Sequence, residues 1–311
     1  MRELTINGRL ISDDAPCYVI AELGHNHQGR LETARQMVRS AHDCGASAVK
    51  LQKRNNATLY SQAILDKPYD HQNSFGETYG LHREALEFGQ HAYEELLHLS
   101  AWMGVTCFAT AFDEASADFL FALGVPAIKI ASGGLTDVPL LKHVAQLRVP
   151  TLISTGGGTF REVDTAVETV SSIHQDFAIL HCTAAYPADF ALLNLRVIPA
   201  MRERYPDTVI GWSGHDSGIA MATAAYTLGA RIIEKHFTLN RAMKGTDHAF
   251  SLEPVGLRKL IRDLGRARVA LGDGVKRYEA EELKPIAKMR RRLTEDGWKV
   301  TGEVDDVQSD G

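Results

Sequence analysis

Three observations predict that the chain folds as an α/β protein of the (β/α)8 or TIM-barrel class. Short apolar runs rich in β-branched residues alternate with longer segments that carry Leu, Ala and Val at three-to-four spacing. This alternation gives eight strand–helix units between residues 18 and 272. A chain of 311 residues, 44% of them hydrophobic, has the apolar material for a barrel of roughly 250 residues.

The predicted strands are, in chain order, residues 18–24, 47–52, 105–112, 127–132, 151–155, 177–183, 209–214 and 231–238. Several of the helical segments between them end at a glycine, as expected of a helix C-terminus, at Gly45, Gly104, Gly124 and Gly229. A doubly wound open sheet is the alternative. That fold normally has fewer strands and a G-x-G-x-x-G turn after the first one, which the sequence AELGHNHQG of residues 21–29 does not spell.

Three segments lie outside the repeated units. Residues 1–17 predict an N-terminal hairpin that turns at Asn7-Gly8 and plugs the bottom of the barrel. Residues 53–89 are polar and long, which favours a functional loop. Residues 273–311 are highly charged and too short for a second core, so we expect a docked helix followed by a frayed tail.

Composition excludes several functional classes. The net charge is −5, with 34 basic and 39 acidic residues, so no strong positive field draws nucleic acid or an anionic membrane. The four cysteines lie far apart, which is typical of core residues in a reducing compartment. No apolar stretch approaches the roughly 18 residues of a membrane span. These features predict a cytoplasmic protein.

In the predicted strands, polar side chains occupy alternate positions near the C-terminal ends. Barrel enzymes build their sites at that rim, and side chains of one parity face the same side of a strand. These polar residues are Glu22, Lys50, Gln52, Lys129, Ser154, Ser213, His215, Glu234 and His236.

The chemistry of these residues predicts an anion site beside a metal site. Lys50 and Lys129, with the hydroxyls of Thr110, Ser132, Ser154 and Ser213, suit a phosphate or carboxylate. His215 and His236 can place two imidazoles on one divalent ion, and Glu22 suits general base work. Taken singly, an inward lysine is more often an ion-paired structural residue and a strand histidine a core residue. The joint pattern favours function.

The sequence also resembles the sialic acid synthase (NeuB-like) family, which joins phosphoenolpyruvate to an N-acyl-mannosamine-type sugar. The matching stretches follow the family order over about residues 18–272. They are IAELGHNHQG, GASAVKLQ, CFATAFD, IKIASG, LISTGG, LHCTAAYPADFALLNLRVI, GWSGHDSG, LGARIIEKHFTLNRAMKGTDHAFSLEP and ALGDG.

The resemblance implies a role for each matched residue. It implies that Glu22 is the catalytic acid/base and that His215 and His236 hold a Mn²⁺ or Mg²⁺ ion and so take part in catalysis. It places phosphoenolpyruvate at Lys50, Thr110, Lys129, Ser132, Ser154 and Ser213. It places the sugar near Gln52, Tyr186 and Asp247.

The family pattern is altered on the sugar side. Gly134 and Ala184 stand where the family often has an acidic residue and an asparagine that face the sugar. The family's C-terminal antifreeze-like domain is not expected in the short tail. The acceptor is therefore expected to vary in acyl group, phosphorylation or deoxygenation, and a homodimer is expected from the family.

Two alternative functions remain open at the sequence level. One is the synthesis of another 3-deoxy-2-keto sugar acid from a different aldose. The other is a barrel that binds a phosphorylated ligand without turnover. Retention of Glu22, Lys50, Lys129, His215 and His236 together favours an enzyme over a binding protein.

Overall fold

The structure of the protein is a computed structural model that describes residues 2–303. By internal contacts the chain divides into a unit that ends at Arg268 and a second unit that begins at Val269. The strands of the first unit are β1 (Glu3–Ile6), β2 (Arg9–Ser12), β3 (Tyr18–Glu22), β4 (Ala48–Lys53), β5 (Thr106–Ala111), β6 (Ile128–Ile130), β7 (Thr151–Ser154), β8 (Phe177–Cys182), β9 (Val209–Gly214) and β10 (Ile232–His236).

Strands β3 to β10 form one closed parallel barrel, as the sequence predicts. Each strand pairs with the next along the chain, and β10 pairs with β3 to close the sheet. The open-sheet alternative is therefore wrong. Six of the eight strands end earlier at the rim than predicted, because the chain turns away there; after Ile130, for example, residues Ser132–Gly134 form a 3₁₀ turn. Strand β9 ends as predicted and β4 ends one residue later.

Helices follow the strands and cover the outside of the barrel. Their apolar residues recur at helical spacing, so one face packs on the sheet; in α1 this face is Ala34, Met37, Val38 and Ala41. In chain order, the helices of the described residues are α1 (Leu31–Asp43), α2 (Asn56–Leu59), α3 (Gln62–Leu65), α4 (Tyr79–Glu84), α5 (Gln90–Met103), α6 (Glu114–Ala122), α7 (Val138–Gln146), α8 (Phe160–Ser171), α9 (Val197–Arg204), α10 (Ala220–Thr227), α11 (Pro254–Leu271) and, in the second unit, α12 (Ala280–Ala287).

Glycine in the left-handed region ends four of these helices where the sequence predicts a stop. Gly104, with φ of 74°, is the C-cap of α5 and returns the chain toward β5. Gly45, Gly124 and Gly229 have φ of 91°, 71° and 108° after α1, α6 and α10. A side chain in this conformation is strained, which is why glycine suits these positions.

The N-terminal hairpin forms between β1 and β2 as predicted. Asn7 and Gly8 occupy the turn with φ of 49° and 74°. Leu4, Ile6 and Ile11 are buried, and they belong to the same apolar core as the barrel. Asn7 donates to Thr106, the first residue of β5, at 3.5 Å, and Arg9 lies over the ring of Tyr18, the first residue of β3. The hairpin therefore lies at the end of the barrel opposite to the carboxyl ends of the strands.

The segment between β4 and α5 is the longest connection at the rim. It contains the short helices α2, α3 and α4. Its far end is held at the barrel by hydrogen bonds to Glu87 from the Lys53 ammonium, at 3.3 Å, and from the backbone N–H of Arg54, at 3.1 Å. Its path brings Arg83 to the cavity described below.

The second unit is small. Its helix α12 is followed by an antiparallel hairpin of β11 (Arg291–Thr294) and β12 (Gly297–Val300), which the sequence analysis did not predict. Residues 304–311, part of the predicted frayed tail, lie outside the described residues. Within residues 2–303 no helix combines the length and the apolar character that crossing a bilayer requires.

Candidate functional site

A cavity of about 410 Å³ opens at the carboxyl ends of the barrel strands. All twelve site residues predicted from the sequence line it. They are Glu22, Lys50, Gln52, Thr110, Lys129, Ser132, Ser154, Tyr186, Ser213, His215, His236 and Asp247. They come from seven of the eight barrel strands and from loops at the rim, including the loop after β8 that carries Tyr186, so the closed sheet is what brings them together.

A buried ion pair crosses the barrel between β6 and β10. The ammonium of Lys129 donates to both carboxylate oxygens of Glu234, at 3.0 and 2.9 Å, and Ser213 donates to one of them at 3.1 Å. Burial opposes the ionisation of Glu234, but the charges of Lys129 and Lys50 outweigh it and lower the pKa of Glu234 to about 2. Burial lowers the pKa of Lys129. Glu234 therefore remains ionised at neutral pH.

A second buried pair joins β3 to β4. Lys50 Nζ lies 2.6 Å from Glu22 Oε2 and donates to Thr110 Oγ1 at 2.7 Å. Gln52 donates to the other oxygen of Glu22 at 2.6 Å. Burial raises the pKa of Glu22 against the opposing charge of Lys50, and Glu234 raises it further. Burial also lowers the pKa of Lys50, but Glu22 and Glu234 offset this and the pKa of Lys50 is raised.

The two pairs differ in how firmly each carboxylate is held in its ionised form. Environments that push the pKa values of neighbouring carboxyl groups apart divide their roles. Glu234, with its lowered pKa, is a fixed counterion. Glu22, with its raised pKa, is the carboxyl group suited to exchanging a proton.

His215 and His236 lie side by side after β9 and at the end of β10. Their ring centroids are 5.3 Å apart. His215 Nδ1 lies 2.9 Å from the carbonyl oxygen of Thr183, which fixes Nδ1 as the protonated nitrogen and leaves Nε2 with a free lone pair. Burial lowers the pKa of His215 to about 3 and also lowers the pKa of His236. Both imidazoles are therefore neutral and able to act as ligands.

The loop that carries His215 is fixed by a further buried ion pair. Lys235 points away from the cavity and donates to the carboxylate and the carbonyl oxygen of Asp216, at 2.8 and 2.6 Å. Both side chains are about 1% exposed. This pair holds the residue next to His215 against β10, so it positions the histidine without touching the cavity.

Aromatic and acidic side chains from two loops complete the wall around the histidines. The Tyr186 ring lies 4.2 Å from that of His215, and the Phe250 ring lies 5.0 Å from that of His236. Asp247 Oδ2 is 3.6 Å from His236 Nδ1. Among residues 2–303 no group of three or more His, Cys, Asp or Glu side chains is arranged to hold a metal ion by itself.

Hydroxyl groups line the side of the cavity near β6 and β7. Ser132 accepts a hydrogen bond from the backbone N–H of Gly156 at 3.0 Å. Ser154 is buried and its Oγ has no hydrogen-bond partner in the structure. A buried hydroxyl without a partner is costly, so an acceptor or donor brought by a ligand at this point gains a ready hydrogen bond.

Of the two positions that depart from the family pattern, Ala184 lines the cavity and Gly134 does not. Ala184 lines the cavity without a polar group. A Cβ at Gly134 would lie 2.8 Å from Cγ2 of Ile130, so a side chain there requires the Ile130 side chain to move.

The sequence analysis assigned no role to several polar groups of the cavity. Glu234 was noted as inward-facing but given no role, although it neutralises Lys129. His25, Arg54 and Arg83 also line the cavity. Arg54 directly follows β4, so its sequence position could have indicated a side chain at the rim of the barrel. Arg83 is 29 residues further along in an irregular segment, and no spacing rule indicates its place.

Comparison with protein families gives a match to the NeuB family over residues 37–276. Curated relatives include the N-acetylneuraminate-9-phosphate synthases of Drosophila melanogaster, 43% identical over 82% of this chain and 68% of that protein, and of Homo sapiens, 39% identical over 86% and 75%. The N,N'-diacetyllegionaminic acid synthase of Legionella pneumophila is 36% identical over 89% of this chain and 80% of that protein.

A solved structure agrees with these matches. The N-acetylneuraminic acid (sialic acid) synthetase of Leptospira borgpetersenii, in complex with citrate, superposes with a TM-score of 0.81 at 32% identity, covering 92% of this chain and 95% of that one. A truncated 3-deoxy-D-arabino-heptulosonate 7-phosphate synthase of Thermotoga maritima, at 16% identity and a TM-score of 0.65, shares the fold.

Proposed function

Because the chain belongs to the NeuB family of sialic acid synthases, a family of phosphoenolpyruvate-dependent transferases, we propose that it condenses phosphoenolpyruvate with an N-acyl-mannosamine-type sugar. The products are a sialic acid or a related nonulosonic acid and phosphate. The acceptor is the free sugar or its 6-phosphate. Carbon–oxygen cleavage of phosphoenolpyruvate releases the phosphate.

The observation that carries this proposal is the pair of buried lysines in a cavity that also holds a proton-exchanging carboxyl group. Lys50 and Lys129 are each about 3% exposed and face the same cavity at the strand ends. Lys50 lies against Glu22 and Lys129 against Glu234, so both ammonium groups are held in place for an anionic ligand. An anion with both a phosphate and a carboxylate group can engage two ammonium groups and the hydroxyls beside them.

The two histidines fit a divalent metal ion. His236 Nδ1 is buried and has no hydrogen-bond partner, and His215 presents a free Nε2 because its Nδ1 is engaged by Thr183. Two neutral imidazoles would leave the other positions of a Mn²⁺ or Mg²⁺ ion to water and substrate oxygens, the ligands that these ions prefer. When bound, such an ion supplies Lewis acidity that polarises the aldehyde of the acceptor.

The protein's own residues bind and orient the reactants. Lys129, Ser132, Ser154 and Ser213 hold phosphoenolpyruvate so that its carbon 3 can form a bond to the aldehyde carbon of the sugar. Lys50 donates to the anionic substrate and to Glu22 in turn, as its present contacts with Glu22 and Thr110 allow. Gln52, Tyr186 and Asp247 line the acceptor side.

Glu22 accepts and returns a proton in the second step, the addition of water. After the carbon–carbon bond forms, water adds to carbon 2 of the former phosphoenolpyruvate, and Glu22 takes a proton from that water and passes it to the former aldehyde oxygen, which becomes a hydroxyl group. The resulting tetrahedral carbon expels phosphate by breaking its carbon–oxygen bond; the proton of its hydroxyl group leaves with the phosphate, and the carbon becomes the keto group. The raised pKa of Glu22 suits a group that accepts and returns a proton.

The test is phosphate release from phosphoenolpyruvate, measured with and without the sugar. We expect release only with both substrates and added metal, its loss on chelation, and a fall of about 10²- to 10⁴-fold in Glu22→Gln. Glu168→Gln, a change on the exposed face of α8, is the matched control and is expected to retain full activity. Release that is insensitive to chelation and to Glu22→Gln contradicts the proposal. Calorimetric binding of phosphoenolpyruvate without any turnover supports a binding protein instead.

Two further parts of the proposal concern assembly and location. A homodimer is proposed from the family resemblance, and light scattering that gives the mass of one chain contradicts it. We also propose a cytoplasmic location. In support, Cys17, Cys44, Cys107 and Cys182 are free thiols in the structure, as expected in a reducing compartment.

A further inference from the structure

Two guanidinium groups line the cavity beside Gln52, and the proposed function assigns neither of them. Arg54 Nη2 donates to Gln52 Oε1 at 2.7 Å, while Gln52 Nε2 donates to Glu22. Arg83, from α4, faces the same cavity. Gln52 therefore connects the proton-exchanging carboxyl group of Glu22 to a second cationic region, which we call the arginine pair (Arg54 and Arg83).

The arginine pair has more hydrogen-bond donors than its surroundings can accept. His25 Nε2 lies 2.9 Å from Arg54 Nη1, and His25 Nδ1 lies 3.3 Å from Arg83 Nη1. A neutral imidazole can accept at only one of its two ring nitrogens, so one of these N–H groups has no acceptor in His25. Arg54 Nε is also buried without a hydrogen-bond partner.

The charges around the pair are not balanced. Arg83 donates to the hydroxyl oxygen of Tyr79 from two nitrogens, at 2.8 and 2.6 Å, and within the described residues no carboxylate lies at ion-pair distance from it. The carboxylate of Glu87 is 3.6 Å from Arg54 and is shared with Lys53 at 3.3 Å. Among the described residues, the carboxylate of Glu87 is thus the one that lies close to any of the three cations Lys53, Arg54 and Arg83.

Unsatisfied donors and an uncompensated positive charge in a cavity are the features of an anion site. Buried polar groups normally find a partner, and an arginine held rigidly by its neighbours is preorganised for the oxygens of a phosphate or carboxylate. The Arg54 guanidinium stacks 3.7 Å from the centre of the Phe112 ring, which fixes its plane.

We propose that Arg54 and Arg83 bind an oxyanionic substituent at the far end of the acceptor sugar, a phosphate monoester or a carboxylate. This inference rests on the proposed function, which assigns phosphoenolpyruvate to the lysines and leaves the arginine pair for the second substrate. A phosphate monoester offers three terminal oxygens, so it can accept hydrogen bonds from both guanidinium groups. One of these oxygens can accept from the arginine N–H group that has no acceptor in His25.

The experiment compares three acceptors with the intact enzyme: a neutral N-acyl-mannosamine, its 6-phosphate and the corresponding 6-carboxylate. We expect kcat/KM for one of the two anionic acceptors to exceed that for the neutral sugar by at least about 10-fold, as charge-assisted hydrogen bonds permit. Equal or better use of the neutral sugar overturns the inference and leaves the proposed function standing. Failure with all three acceptors overturns the proposed function itself.

A variant then assigns the preference to the arginine pair. Arg83→Gln is expected to lower kcat/KM for the preferred anionic acceptor about 10- to 100-fold and to change the value for the neutral sugar less than threefold, with KM for phosphoenolpyruvate unchanged. Arg35→Gln, which removes an arginine that pairs with Glu95 on the outer helices, is the matched control and leaves all three values unchanged. An equal loss with every acceptor in Arg83→Gln overturns the assignment. If that variant does not fold, Arg54→Gln is measured in the same way, with the same expected and contradicting results.

Discussion

Glu234 is the counterion on which the buried lysines depend, and Glu234→Gln removes its charge with little change in shape. The carboxylate accepts twice from Lys129 and once from Ser213, and it lies 3.7 Å from Lys50. Its side chain is about 5% exposed, so water cannot replace the lost charge. The substitution leaves Lys129 buried without an anionic partner.

The magnitude of this effect follows from the pKa of Glu234. It is lowered from 4.5 to about 2, and at about 1.4 kcal/mol for each pKa unit the ionised carboxylate contributes about 3 kcal/mol to the free energy of unfolding. A loss of 3 to 5 kcal/mol is also the usual effect of removing one partner of a buried pair. We therefore expect Glu234→Gln to lower the stability at pH 7 by about 3 kcal/mol.

The pH dependence provides a second check on the same cause. A carboxyl group whose pKa is lower in the folded state contributes its full stability above the unfolded pKa of about 4.5 and loses it as the pH falls toward 2. The stability difference between the two proteins should thus be constant from pH 5 to 7 and shrink below pH 4.5.

Denaturant unfolding at several pH values, followed by circular dichroism, measures both effects. Glu168→Gln is the control for a change of charge on the surface and is expected to stay within about 0.5 kcal/mol of the unmodified protein. A loss below 1 kcal/mol in Glu234→Gln at pH 7, or a difference that does not shrink in acid, refutes the view that Glu234 is an essential counterion.

Two other predictions concern residues outside the cavity. Lys235→Met leaves Asp216 as an unpaired buried charge and is expected to lower stability by about 3 to 5 kcal/mol in thermal or denaturant unfolding, whereas Lys259→Met on the exposed face of α11 has little effect. Ile6→Ala opens a void beneath the barrel and is expected to cost about 2 to 5 kcal/mol by the same measurement, while Leu10→Ala, at a site 46% exposed, costs less than 1 kcal/mol. Equal effects within either pair contradict the packing described for the hairpin or for the loop after β9.

The barrel and the faces of its strands could be predicted from the sequence because both depend on local periodicity. Alternation along a strand fixes which side chains share a face, so Lys50 and Gln52 are placed together by sequence spacing alone. The turn at Asn7-Gly8 and the stop at Gly104 likewise depend on backbone conformations that glycine and asparagine favour.

The pairing of charges inside the barrel could not be predicted in the same way. Lys129 and Glu234 are 105 residues apart in sequence, and their strands are not neighbours in the sheet. Their contact depends on the stagger of all eight strands, which sets the depth at which each side chain enters the lumen. The place of Arg83 depends on the path of an irregular segment, and no periodic signal encodes that path.

The central claim is that phosphoenolpyruvate condenses with a sugar through addition of water at carbon 2 and cleavage of the carbon–oxygen bond. The most direct measurement is the reaction run in water labelled with ¹⁸O, with mass spectrometry of both products. The account predicts a sugar acid that contains the acceptor carbons plus the three carbons of phosphoenolpyruvate, and phosphate without ¹⁸O, because its bridging oxygen comes from phosphoenolpyruvate. Phosphate that carries one ¹⁸O, or pyruvate in place of the sugar acid, contradicts the account.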